Sequence, residues 1–195
     1  KGTDLNDEFK KKDLKNKNLF FSKNIQDINN CNFYIICVPT PITNSKQPDL
    51  KYINKSLLLL SKILKKGDII VLESTVYPGV TGEFINKLEK KTKLVNNRDF
   101  STCYSPERIN PGDKERNLNN INKVLAYEGN NKKVKILLMS VYKKICKKLI
   151  LSKNIREAET AKGIENIQRD LNIALFNEIL IICNKLKLNF NEVIR

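Results

Sequence analysis

Two uninterrupted apolar runs, each halted by residues that end a β-ladder, constrain this chain more than any other feature. Phe33-Tyr34-Ile35-Ile36-Cys37-Val38 stops at Pro39-Thr40-Pro41, and Ile69-Ile70-Val71-Leu72 stops at Glu73-Ser74-Thr75 before a turn through Pro78-Gly79. A run that is apolar at every position, rather than at alternate ones, is the pattern of a strand buried on both faces of a parallel sheet. The two prolines remove the amide hydrogens that a ladder needs and force a loop. Between the runs, Leu50, Ile53, Leu57, Leu60 and Leu64 recur at helical spacing, and Lys66-Gly67-Asp68 closes that helix. After the second run a helix begins near Thr81 and turns Phe84, Ile85 and Leu88 inward. Strand, helix, strand, helix in this rhythm predicts an α/β fold with a doubly wound parallel sheet.

Farther along, residues 99–104 form a less regular strand that enters the Pro106 loop, and residues 123–127 form another before Gly129. Val134, Leu137, Leu138, Val141, Ile145 and Leu149 predict a helix over 132–149. From about Glu157 to Leu186 the pattern is one long helix, with Ile164, Ile167, Leu171, Leu175, Ile179 and Ile182 as its apolar stripe. That length suits a connector between domains or an oligomer contact. Residues 1–30 are polar and rich in Asn and Lys, with a short strand expected around Leu19-Phe20-Phe21 and a charged helix before it.

With 195 residues, 41% of them hydrophobic, the chain holds enough apolar material for a real core. A net charge of +15 raises nucleic acid as a partner, because clustered Lys and Arg release phosphate counterions. Here the lysines are scattered over polar helix faces, the pattern of a solvated surface, and no nucleic-acid partner is expected. Five cysteines with no CxxC pair, in a chain without histidine, argue against a zinc site, and no metal is expected. Cys37 and Cys183 lie in apolar runs and read as small buried hydrophobes. The sequence has no signal-peptide core and no 18-residue apolar run, so the expectation is a soluble cytoplasmic protein without a membrane partner. It opens on Lys1 and ends on Arg195 in a segment still patterned as helix, which reads as a piece of a longer protein.

In open α/β sheets ligands sit beyond the carboxyl ends of the strands, and Thr40, Thr75 and Glu107 all occupy such ends. The threonines equally suit capping of turns. With no histidine available, Glu107 is a candidate general base if a cleft desolvates it, or else an ion-pair partner of Arg108 or a lysine. Lys162 and Asn166 stand four residues apart, on one helix face, where a cation and an amide can hold one oxyanion; an exposed lysine is the simpler alternative.

The wording of five ordered segments narrows these options. Residues 37–42 (Cys-Val-Pro-Thr-Pro-Ile), Gln47-Pro48-Asp49-Leu50, residues 73–79 (Glu-Ser-Thr-Val-Tyr-Pro-Gly), residues 105–113 from Ser105-Pro106-Glu107-Arg108 onward, and residues 165–174 resemble the UDP-glucose/GDP-mannose dehydrogenase family. The likeness is greatest to its UDP-N-acetylhexosamine 6-dehydrogenase branch, and it covers nearly the whole chain from Cys31 onward. The resemblance implies a Rossmann-like NAD-binding domain over residues 1–150, lacking its first βα unit. Residues 151–195 would begin a central helical domain through which the protein forms a homodimer. It also implies a four-electron oxidation of a UDP-sugar's C6 alcohol to a carboxylate, with two NAD reduced in succession, for surface polysaccharide. By similarity Val38, Pro39, Thr40, Pro41, Ile42, Ser74, Thr75 and Val76 would line the NAD site. Glu107, Arg108, Ile109, Asn110 and Pro111 would border the substrate. Glu107 would serve as general acid/base of the hydrolytic half, Lys162 would polarise the C6 oxygen, Asn166 would bind near it, and Thr75 would position water.

The family's Gly-rich GxGxxG turn is expected upstream of Lys1 and its nucleophilic thiol downstream of Arg195, so this piece alone is expected to be inactive. Arg116 stands where the branch often has histidine, and Gly82 where it has an acidic or polar residue. Three other readings compete. A truncated, non-catalytic relative would act as a binding or scaffold module, with stop codons in the flanking sequence. A basic nucleic-acid module would bind with steep salt dependence. A two-electron hydroxyacid dehydrogenase would use one NAD per turnover.

Overall fold

The computed structural model describes residues 11–108 and 120–195. It divides into two compact units, residues 1–31 and 32–195. In the first, the described residues hold two short 3₁₀ turns, Asp13–Lys15 and Ile25–Ile28, the second capped by the Asn24 side chain, which accepts from the Gln26 amide. The expected strand at residues 19–21 does not form, and Phe20 and Phe21 are exposed.

The second unit is built on a five-stranded sheet in the order β1 (Phe33–Ile36), β2 (Ile69–Leu72), β3 (Ser101–Tyr104), β4 (Asn122–Ala126), β5 (Lys148–Ser152). β1, β2 and β3 run parallel, β4 lies antiparallel to β3, and β5 runs parallel to β4. Its helices are α1 (Lys51–Leu60), α2 (Val80–Thr92), α3 (Lys132–Tyr142), α4 (Ile155–Leu186) and the short α5 (Phe190–Val193).

The reversal between β3 and β4 explains why helices cover both faces. A parallel crossover is right-handed, so α1 and α2, stepping the same way across the sheet, fall on one face, and they contact each other. Past the reversal the same handedness sends α3 to the opposite face. There Leu138 and Tyr142 pack with Ile69, Val71, Cys103, Leu125 and Tyr127, the alternate residues of β2, β3 and the β4 end.

Three features depart from the sequence reading. β1 is not buried on both faces: it is the edge of the described sheet, and Ile35 is 45% exposed. Cys37, just past its end, is exposed rather than buried, whereas Cys183 is buried as expected. The helix predicted over 132–149 stops at Tyr142, and residues 148–152 form β5. Ile145 and Leu149 still pack against the same core, so the apolar spacing was read correctly and the local conformation was not.

Candidate functional site

The carboxyl ends of β1, β2 and β3 open at one end of the sheet, and the segments that leave them are tied together. Ser74 Oγ donates to the carbonyl of Val38 (2.7 Å), binding the loop after β2 to the loop after β1. The first loop doubles back on itself, with Asp49 N–H on the Pro41 carbonyl (2.7 Å) and a bridge between Ile42 and Pro48. Pro39, Pro41 and Ile42 are exposed and Val38 half-buried. Thr40 is half-buried, but its Oγ1 is enclosed and has no hydrogen-bond partner among the described residues. In the second loop Ser74 and Val76 are buried and Thr75 is exposed.

Under these loops lies a buried polar group to which the sequence reading assigned no role. Glu73 accepts from Lys123 Nζ (3.0 Å) through one oxygen and from Tyr142 Oη (2.5 Å) through the other. The Lys123 side chain is enclosed and its ammonium lies 5.6 Å from the Tyr142 ring centroid. Burial, followed by the Glu73 carboxylate, pushes the Tyr142 hydroxyl far above its ordinary pKa, so it remains a donor. Cys37 is exposed as a residue, but partial desolvation of its thiol, followed by the Glu73 carboxylate, raises its pKa; Lys123 opposes that shift and Glu107 adds to it. A charged residue abutting an otherwise apolar strand was the available sequence signal, since such a group must find a partner when it is enclosed.

Glu107 follows β3 and is held by its backbone, its N–H donating to the Glu73 carbonyl (3.3 Å). Its carboxylate accepts from the Arg108 N–H (2.7 Å). The other side of the site is α4. Its start is set by Asn154, which accepts from Glu157 N–H, and by Glu128, which accepts from Ile155 N–H. Ile155, Ala158, Glu159 and Lys162 then recur at helical spacing as the buried face, so Lys162 enters the site at 5% exposure. Burial lowers its pKa below that of an ordinary lysine; Glu165 opposes that shift, Arg169 and Arg108 add to it, and Glu107 opposes it. The ammonium lies 3.9 Å from Glu165 Oε1. Glu165 in turn meets Arg108 Nε at 3.1 Å, in ion-pair range though not aligned as a hydrogen bond, and Arg169 at 3.2 Å. Asn166 is half-buried one turn beyond Lys162.

Glu107, Arg108, Lys162 and Asn166 therefore belong to one neighbourhood. Thr75 has no hydrogen bond or ion pair to Lys162 among the described residues; the link between them runs through Glu159, one turn before Lys162, whose carboxylate accepts from Gly79 N–H (2.6 Å) and Thr81 N–H (2.9 Å). Ile109, Asn110, Pro111 and Arg116 lie outside the described residues. At Gly82 an added Cβ would meet open space, so nothing steric requires glycine there.

Comparison with known proteins identifies the family of the chain. Residues 3–146 match the NAD binding domain of the UDP-glucose/GDP-mannose dehydrogenase family and residues 156–195 its central domain, and the chain belongs to that family. It is 47% identical over 179 residues to the UDP-N-acetyl-D-glucosamine 6-dehydrogenase of Pseudomonas aeruginosa, covering 91% of this chain and 42% of that protein. To the enzyme of the same name from Salmonella typhi it is 45% identical over 197 residues, covering all of this chain and 46% of that protein. The chain thus spans less than half the length of these relatives. The fold is similar to that of the UDP-D-ManNAc dehydrogenase of Pyrococcus horikoshii, with a TM-score of 0.79 at 31% identity, covering 88% of this chain and 40% of that one. Among the described residues no helix is long and apolar enough to cross a membrane.

Proposed function

We propose that the protein to which this chain belongs oxidises the C6 alcohol of a UDP-N-acetylhexosamine to the uronic acid with NAD, losing two hydrides and taking up one water. The observation that carries this reading is a buried lysine on α4, Lys162, that is tied through Glu165 to Arg108 in the loop leaving the carboxyl end of β3. Family membership and relatives named as UDP-N-acetylhexosamine dehydrogenases support it.

The loops after β1 and β2 suit a dinucleotide. Thr40 Oγ1 is enclosed without a partner among the described residues, and a bound cofactor would satisfy it. Val38 to Ile42 and Ser74 to Val76 would hold the cofactor, and when bound NAD supplies the hydride acceptor. Lys162 would hold its proton at Nζ against the C6 oxygen, where negative charge develops, and desolvation strengthens that contact. Asn166 would orient the same oxygen. Glu107 would move the proton of the water added in the second half, with Thr75 fixing that water's position. Glu107 and Arg108, continued by Ile109, Asn110 and Pro111, would border the sugar.

By this reading residues 1–150 belong to the NAD-binding domain and residues 151–195 begin the central helical domain. The protein would be a cytoplasmic homodimer joined through that central region, serving polysaccharide synthesis. The test is the number of NADH formed per sugar by the full-length protein, supplied in turn with UDP-GlcNAc and UDP-GalNAc. Two per sugar with either substrate is expected. One per sugar overturns the four-electron reaction, and none with either overturns the proposal.

A further inference from the structure

Glu159 is a fully buried carboxylate on α4 to which neither the sequence nor the family resemblance assigned a task. Its two oxygens are both used, on the N–H groups of Gly79 and Thr81 at the first turn of α2, 80 and 78 residues away in sequence. These are orphan donors of a helix start, and a carboxylate there meets both their hydrogen bonds and the positive end of the helix dipole. Gly79 adopts φ +104°, which turns its N–H toward α4, and Arg156, one turn before Glu159, packs where a Cβ at Gly79 would point. The same carboxylate adds to burial in raising the Tyr104 hydroxyl, so it also faces the end of β3.

The placement joins two parts of the site. Glu159 precedes Lys162 by three residues on the same buried face, and the segment it grips follows Thr75-Val76 just past Tyr77-Pro78. We propose that Glu159 is a positioning residue for the reaction proposed above: its grip on the α2 start fixes the depth and rotation of α4, and so the distance from the Lys162 ammonium to the loop carrying Thr75. It touches neither substrate nor cofactor and acts through Lys162. Such an anchor matters because an ammonium misplaced by about 1 Å forfeits much of its effect on a developing charge.

The experiment is a double-mutant cycle on the full-length protein, using Glu159→Gln, Lys162→Ala and the pair, with Glu159→Asp as the conservative variant and thermal melting to verify folding. Glu159→Gln directs an amide N–H at one of the α2 donors. It is expected to lower kcat about a hundredfold while leaving the KM for NAD within about twofold. Glu159→Asp is expected to recover part of the loss. With Lys162 already removed, and turnover followed at high enzyme concentration, Glu159→Gln should cost less than about twofold further, because a residue acting through another has nothing left to position. Effects that multiply in the double variant, an unchanged kcat in Glu159→Gln, or failure of both Glu159 variants to fold would each overturn the inference in favour of a plain helix cap. The proposed activity stands or falls separately, on whether the unaltered protein forms NADH from UDP-sugar.

Discussion

Lys162 shows how one residue's burial links stability to chemistry. Its folded pKa is lowered, first by desolvation, so between that value and the unfolded lysine value of about 10.4 the unfolded chain holds a proton that the folded chain has released. Folding is therefore penalised below the folded pKa, and the penalty lifts as pH rises through it. Lys162→Met lacks the penalty at every pH. Denaturant titrations from neutral pH to about 10.5 should show wild type gaining stability relative to Lys162→Met as pH climbs. The variant's kcat should fall by about a hundredfold to a thousandfold, as for removal of one stabiliser of developing charge. Glu107 makes a different prediction, because its proposed task begins only when water is added. Glu107→Gln should release about two NADH per active site in a rapid burst and then stall, because both hydrides leave before water cleaves the acyl group from the family's thiol, checked by stopped-flow absorbance. Steady turnover at the wild-type rate after the burst would remove Glu107 from the hydrolytic step. The residue types were legible in the sequence: Lys162 and Asn166 share a helix face by spacing alone, and Glu107 stands in a loop after a strand. Which face of α4 is buried was not, since apolar stripe and buried face differ there.

Elements are locked to one another by the polar group beneath the loops. Glu73 ends β2, Lys123 lies in β4 and Tyr142 ends α3, so three elements distant in sequence meet at two carboxylate oxygens. Lys123→Met leaves Glu73 enclosed beside an apolar group and should cost about 3–5 kcal/mol in urea unfolding, whereas adding Glu73→Leu should recover much of that loss. The start of α2 is a second joint. Gly79→Ala would meet no clash, its nearest neighbour being Arg156 Nη2 at 3.7 Å, so the whole cost is the left-handed backbone, about 1–2 kcal/mol in the same assay. A loss far larger would mean that the Glu159 contacts break as well. Most of these elements were visible as apolar runs and periodicities. β5 was not, because the spacing of Ile145 and Leu149 continues that of α3 and both residues face the same core. Periodicity reports which residues turn inward; it does not report whether a chain reaches that core as helix or as strand. Lys147 N–H on the Ile121 carbonyl and the pairing of β5 with β4 decide the matter, and both contacts are remote in sequence.

At the scale of the molecule, α4 is the unfinished part. It runs 32 residues, buries little beyond its first two turns and Cys183, and leaves Ile164, Ile167, Leu171, Leu175 and Ile182 exposed, with Ile179 half-buried. A contiguous apolar face of this extent suits an interface. If the proposed dimer uses it, Leu171→Glu together with Leu175→Glu should shift the full-length protein from dimer to monomer in sedimentation, with little change in helical circular dichroism. An unchanged sedimentation coefficient would place the contact elsewhere. By itself the sequence determined the parallel β1-β2-β3 core, the loops that leave it, and the long helix, because continuous apolar runs, prolines and helical periodicity are local signals with few structural solutions. Tertiary structure alone decided the reversal at β4 that places helices on both faces, the burial of Lys162, and the Glu73 and Glu159 contacts. Those features depend on which distant backbone and side-chain groups satisfy one another once water is excluded, and no local pattern carries that information.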